Sequence, residues 1–122
     1  MFNERLWFAF FILLAFTLNF SFVYGDIADP DQHGKLELFF AFLVSVVCMI
    51  LKFGDRTYLG VLLLAASMVA NLHFLLAIFT WTFSTGDLDG SHISTIVSFC
   101  AGALVANAVS VVITIFDALG QR

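Results

Sequence analysis

The stretch from Ser91 to Asp117, SHISTIVSFCAGALVANAVSVVITIFD, has no Asp, Glu, Lys or Arg before its final residue. As a helix rising 1.5 Å per residue, it is long enough to cross a hydrocarbon core of about 30 Å. Every fourth residue on one side is small or weakly polar, and these form a small-residue stripe: Ser98, Gly102, Ala106, Ser110 and Thr114. Such residues let helix backbones approach closely in lipid. The stripe therefore predicts a helix-packing contact, either within one bundle or between subunits.

The composition of the whole chain points to lipid as its solvent. Of its 122 residues, 61% are hydrophobic and only 11% are charged, whereas a soluble domain carries roughly 25% charged residues. The net charge of −4 argues against a nucleic-acid partner, which requires a basic surface. Cys48 and Cys100 both lie inside apolar segments, where free cysteines act as small buried hydrophobes.

Four apolar segments are separated by short polar connections, which predicts a single all-α domain over residues 1–122. The predicted membrane crossings are residues 6–24, 36–53, 58–83 and 91–117. Short connections make consecutive helices antiparallel neighbours, as in an up-down-up-down four-helix bundle. The first three helices each finish at a Gly-Asp pair, beginning at Gly25, Gly54 and Gly86. Glycine suits the left-handed position that closes a helix, and aspartate can accept hydrogen bonds where the next one begins.

The distribution of charge predicts the orientation of this bundle. Arg5, Lys52, Arg56 and Arg122 fall on one side, with only Lys35 on the other. Positive charge collects on the cytoplasmic side, so both termini are expected there, in the bacterial inner (cytoplasmic) membrane. The two Trp and two Tyr all lie at predicted crossing ends, as expected for aromatic belts at the membrane interfaces.

Four polar side chains fall within the predicted crossings: Asn19, Asn71, His73 and Asn107. Polar groups in hydrocarbon require partners. Asn71 and Asn107 lie at similar depths, so we predict a hydrogen bond between them that fixes the register of the third and fourth helices. His73 is either a neutral structural residue or part of an ion path.

The outer connections carry weak candidates for a metal site: Asp29, Asp31, His33, Asp87, Asp89 and His92. The segment from Asp29 begins like a calcium loop, but its twelfth position is Phe40 rather than the required Glu. Haem ligation within one chain is disfavoured because His92 lies far from His73 in depth. No catalytic motif is present, so we expect neither a cofactor nor an enzymatic activity.

The turn Lys52-Phe53-Gly54-Asp55-Arg56-Thr57, the run LLLAASMVANL and the later stretch Gly-Ala-Leu-Val-Ala-Asn resemble a family of small bacterial inner-membrane proteins of unknown function. The resemblance covers most of the chain. It rests on packing and turn residues, so it implies a four-helix membrane fold and no activity. An association of such proteins with potassium-uptake regulators slightly favours a role in transport.

Three hypotheses about function follow. The first is a non-enzymatic assembly or accessory subunit that binds a second copy of itself, or another membrane subunit, through the small-residue stripe. The second is a small oligomeric channel or transporter subunit with Asn71, His73 and Asn107 on its path. The third is a haem or metal-binding membrane protein. The lipid bilayer is a partner under all three.

Overall fold

The computed structural model describes residues 2–25, 34–84 and 90–120. All regular structure in these ranges is helical: α1 (Phe2–Val23), α2 (Lys35–Lys52), α3 (Tyr58–Thr82) and α4 (Gly90–Gly120). The all-helical prediction is confirmed. Two helices are longer than predicted, because α1 begins before Leu6 and α4 continues past Asp117. The first turn of α1 contains Glu4, whose carboxylate suits a helix N-terminus.

Each helix packs chiefly against two others. α1 contacts α2 and α4, α3 contacts α2 and α4, and the contact between α3 and α4 is the most extensive. At one end of the bundle, the first turns of α1 and α3 and the last turns of α2 and α4 line a common cavity. At the other end, the Ser21 hydroxyl of α1 donates a hydrogen bond to the Glu37 carboxylate of α2.

Three helices are long and apolar enough to cross a membrane: Glu4–Val23, Tyr58–Thr82 and Ser91–Gly120. The predicted second crossing does not meet the same criteria of length and apolar composition. The 18 residues of α2 include Lys35, Glu37 and Lys52, and at 1.5 Å per residue they span about 27 Å. Length and composition therefore support three of the four predicted crossings in the described ranges.

The interior is divided into two apolar clusters. The larger contains Phe22, Leu38, Phe74, Ile93, Ile96, Val97 and Cys100, with alanines that let the helices approach. The smaller contains Phe8, Ile12, Ala15, Cys48 and Leu63. Both cysteines are buried free thiols, as the sequence predicted.

Glycines close the helices at two of the positions predicted from the sequence. Gly25 follows α1 with φ of 112°, and Gly54 follows α2 with φ of 87°. Both values lie in the left-handed region of φ, which residues other than glycine rarely adopt. The third predicted position, Gly86, lies outside the described residues.

The turn between α2 and α3 is closed by side-chain hydrogen bonds. Asp55 Oδ1 accepts from the backbone N–H of Thr57 at 3.0 Å and from its hydroxyl at 2.7 Å. The cap of α3 is Thr57 itself, whose hydroxyl oxygen accepts from Gly60 N–H at 3.0 Å. Asp55 therefore accepts hydrogen bonds where α3 begins, as predicted, and it holds Thr57, the residue whose side chain caps the helix. A Cβ at position 60 would overlap the Asp55 carboxyl group, so the glycine makes room for this carboxylate.

These hydrogen bonds lower the pKa of Asp55, with the nearby Lys52 ammonium adding a smaller effect in the same direction. Because the folded pKa is below the unfolded one, the ionised carboxylate stabilises the turn above the ordinary pKa. That contribution is lost as the pH falls through the lowered value.

Candidate functional site: a polar belt between two apolar clusters

Six polar residues are buried in the described part of the chain, at or beside the boundary between the two apolar clusters. On α1, Asn19 lies between Ala15 of one cluster and Phe22 of the other. Ser45 and Ser67 are placed in the same way on α2 and α3. We call the six residues the polar belt: Asn19, Ser45, Ser67, Asn71, Asn107 and Ser110. A belt of this kind, inside a bundle whose outer surface is apolar, is the most costly feature of the molecule to bury.

Asn19 joins α1 to α4. With its amide oriented so that both ends find partners, Nδ2 donates to the Cys100 carbonyl at 3.0 Å. Its Oδ1 accepts from Leu104 N–H at 2.9 Å and from Asn107 Nδ2 at 3.2 Å. The residue is fully buried. Three hydrogen bonds across one helix contact fix both the register and the rotation of α1 against α4.

Asn71 joins α3 to α2 instead of to α4. Its Nδ2 donates to the Ser45 carbonyl at 3.3 Å and to Met49 Sδ at 3.5 Å. The predicted hydrogen bond between Asn71 and Asn107 is therefore wrong, since Asn107 pairs with α1. Similar depth brings two residues to the same level of the bundle, but it does not fix the direction in which a helix turns its side chain.

Several oxygens of the belt make no hydrogen bond to any described residue. They are Ser45 Oγ, Ser67 Oγ, Asn71 Oδ1, Asn107 Oδ1 and Ser110 Oγ. Leaving a buried polar atom unpaired costs about 1–3 kcal/mol. In folded proteins, internal water usually satisfies such atoms. The belt is therefore the part of the interior best suited to hold water.

His73 lies beside the belt, half-buried between α3 and α4. Its Nδ1 is 2.9 Å from the Val69 carbonyl oxygen. Because a carbonyl can only accept, Nδ1 is the donor in this hydrogen bond. The far edge of the ring covers Gly102, where an added Cβ would overlap Cδ2 and lie 2.6 Å from Nε2.

The small-residue stripe is divided between the interior and the surface. Gly102 contacts α3 of the same chain through His73, and Ala106 and Ser110 are buried. Thr114 is half-buried and donates to the Ser110 carbonyl at 2.8 Å, whereas Ser98 is exposed. The middle of the stripe therefore packs within the bundle.

Of the predicted metal candidates, His92 alone lies among the described residues. Asp29, Asp31, His33, Asp87 and Asp89 lie outside the described residues, and His92 is half-buried on α4. Within residues 2–25, 34–84 and 90–120, no three His, Cys, Asp or Glu side chains gather as a metal site would require.

Two belt members, Ser45 and Ser67, were not predicted from the sequence. A signal was present for Ser67, which precedes Asn71 by one helical turn and so shares its face. Ser45 carried no such signal, because its polar neighbour comes from another helix.

Comparison with known proteins gives one match. A family model described as "Family of unknown function (DUF6394)" matches residues 32–118, which include α2, α3 and most of α4. No curated protein and no solved structure matches.

Proposed function

We propose that this chain, which belongs to the DUF6394 family of unknown function, is a non-enzymatic assembly or accessory subunit that acts through helix contacts in a membrane. The observation that carries this proposal is the outer surface of α4. Between residues 95 and 112, its exposed side chains are small or β-branched. They form the outer face of α4: Thr95, Ser98, Val105, Val109 and Val112.

The other helices present bulkier side chains outward. Exposed positions include Phe10 and Phe20 on α1, Phe39 and Phe40 on α2, and Phe79 on α3. Long, mobile side chains suit acyl chains. A face of small and β-branched residues is better suited to a second helix, because backbones approach closely and little side-chain entropy is lost. A second copy of this chain is the partner that we propose.

We further propose that all four helices cross the membrane antiparallel, with both termini on the cytoplasmic side. The first turn of α1 and the last turns of α4 line the same cavity. If both termini lie at the same end of the bundle, the chain crosses the membrane an even number of times. With α1, α3 and α4 as three of the crossings, α2 is then the fourth. The excess of Lys and Arg at that end supports its cytoplasmic placement in an inner membrane.

Cysteine cross-linking in native membranes tests the self-association. We expect Val105→Cys on the outer face of α4 to give a disulfide-linked dimer under mild oxidation. The matched control is Leu72→Cys, which is similarly exposed on α3, and the natural Cys48 and Cys100 are buried. Equal cross-linking at both positions, or none at Val105→Cys, would count against an α4 contact between copies.

A second candidate function is supported by the unpaired belt oxygens. Ser67 Oγ and Asn71 Oδ1 lie one turn apart on α3, and both lack a partner in the described part of the chain. Water held at such atoms would provide part of a polar path through the bundle, as a channel or transporter subunit requires.

Flux measurements on proteoliposomes test this second function. If the chain conducts, we expect Na⁺, K⁺ or H⁺ flux from the purified protein that falls in both Ser67→Ala and His73→Ala. The control variant is Met68→Leu, on the exposed side of α3. Flux equal to that of empty liposomes would remove the transport candidate.

A further inference from the structure

The end of the bundle carries a cavity of about 790 Å³, which is open on one side. This volume lies within the range of roughly 300–1,000 Å³ that is usual for small-molecule sites. The charged residues that line the cavity include both acids and bases: Glu4, Arg5, Lys52, Asp55 and Asp117. The rest of the lining is mainly apolar or turn backbone.

Two of these charged side chains are already used by the protein. Lys52 Nζ lies 3.6 Å from Asp55 Oδ2 and 4.3 Å from the centre of the Phe8 ring. Asp55 also accepts both hydrogen bonds from Thr57. Lys52 and Asp55 together form one fixed wall of the cavity. The Asp55 carboxylate closes the turn, and the Lys52 ammonium lies between that carboxylate and the face of the Phe8 ring.

Three charged residues of the lining lie outside this wall. Glu4 has an interaction of its own, and the other two are Arg5 and Asp117. Arg5 comes from the first turns of α1, and Asp117 comes from the end of α4. Neither makes a hydrogen bond or ion pair with any described residue. Two opposite charges that line one cavity and do not pair with each other suit a ligand that carries both signs.

We propose that this cavity binds the headgroup of a zwitterionic phospholipid with a primary ammonium group. The Arg5 guanidinium, a planar donor suited to phosphate, holds the phosphate. The Asp117 carboxylate accepts hydrogen bonds from the ammonium. The cavity carries three carboxylates against two basic groups, so a purely anionic headgroup matches its charge less well.

The position of the cavity indicates a lipid rather than a free metabolite. Residues that line it also face outward with exposed apolar surface, among them Ile50, Leu51, Phe53 and Tyr58. The exposed aromatic Tyr58 lies where amphipathic rings sit at the headgroup level of a bilayer. A phospholipid can thus place its headgroup in the cavity and its chains along the bundle. The inference rests on the membrane placement proposed above and is independent of self-association.

Native mass spectrometry of the full chain in mild detergent tests the site. The probes are phosphatidylethanolamine, phosphatidylcholine and phosphatidylglycerol with identical acyl chains. We expect phosphatidylethanolamine to bind about tenfold more tightly than the other two, because only its ammonium donates hydrogen bonds to Asp117. Asp117→Asn should abolish this preference, and Arg5→Gln should weaken binding of all three lipids.

The control variant is Arg56→Gln, which removes a base from the same end of the bundle but not from the cavity lining. It should bind all three lipids as the unaltered protein does. Helix content by circular dichroism verifies that each variant folds, and Asp117→Glu should retain the preference. An unchanged preference in Asp117→Asn, or an equal loss in Arg56→Gln, would overturn the proposal. Displacement of the lipid by millimolar soluble phosphoethanolamine would assign the cavity to a free ligand instead.

Discussion

Replacing Gly102 with leucine is expected to lower the free energy of unfolding in mild detergent by about 2–3 kcal/mol, the upper part of the range that is typical of an overpacked core. The reason is the His73 ring, which covers the position so closely that even a Cβ would overlap Cδ2. To make room, the imidazole has to move away from α4 and give up its 2.9 Å hydrogen bond to the Val69 carbonyl. The largest helix contact of the bundle, α3 against α4, would open locally.

A double-mutant cycle isolates this contact. Gly102→Leu measured in a His73→Ala background should lose most of its cost, because the ring that it displaces is gone. Ile115→Leu is the matched control, since residue 115 is 53% exposed on the same helix, lies outside the outer face of α4 and should change stability little. An equal cost for Gly102→Leu in both backgrounds would mean that the glycine is required by something other than His73.

This experiment also separates packing within the bundle from association between copies. If Gly102 serves only the bundle, its substitution lowers stability while the Val105→Cys cross-link persists wherever the protein remains folded. The small-residue stripe combines two surfaces. Its middle lies inside the molecule, and its exposed member Ser98 belongs to the outer face of α4.

The sequence was sufficient for the helices and for the glycines that close the first two of them. Four long apolar runs predict four helices because backbone groups in hydrocarbon must be satisfied within each segment. The glycines at positions 25 and 54 are predictable because only glycine adopts positive φ without strain. The boundaries differ at residues 2–5 and after Asp117, because a polar residue does not end a helix whose backbone hydrogen bonds continue.

The partners inside the bundle could not be predicted in the same way. Position along a helix gives depth, and on depth alone Asn71 and Asn107 are equivalent candidates for a pair. Which neighbour a side chain meets depends on helix rotation. The rotation of each helix depends on how all of its buried residues pack, among them Phe74 and Cys100. The spacing of two residues along the sequence does not reveal it.

The second large effect is expected at Asn19. Asn19→Leu keeps the branching of the side chain but removes three hydrogen bonds, and it leaves the Asn107 amide buried with no partner from α1. We expect a loss of about 2 kcal/mol in the free energy of unfolding, the cost of abandoning a buried polar group. The measurement is reversible denaturation in mixed detergent micelles.

The double variant Asn19→Leu with Asn107→Leu distinguishes this explanation from a simple loss of packing. When both partners become apolar, no amide is left unpaired, so the double variant should be more stable than Asn19→Leu alone. Asn71→Leu should not be coupled to either change, because Asn71 bonds to α2 through Ser45. If Asn107→Leu fails to compensate Asn19→Leu, the contact between α1 and α4 depends on packing. If it compensates fully, the Asn19–Asn107 pair confers register with no net gain in stability.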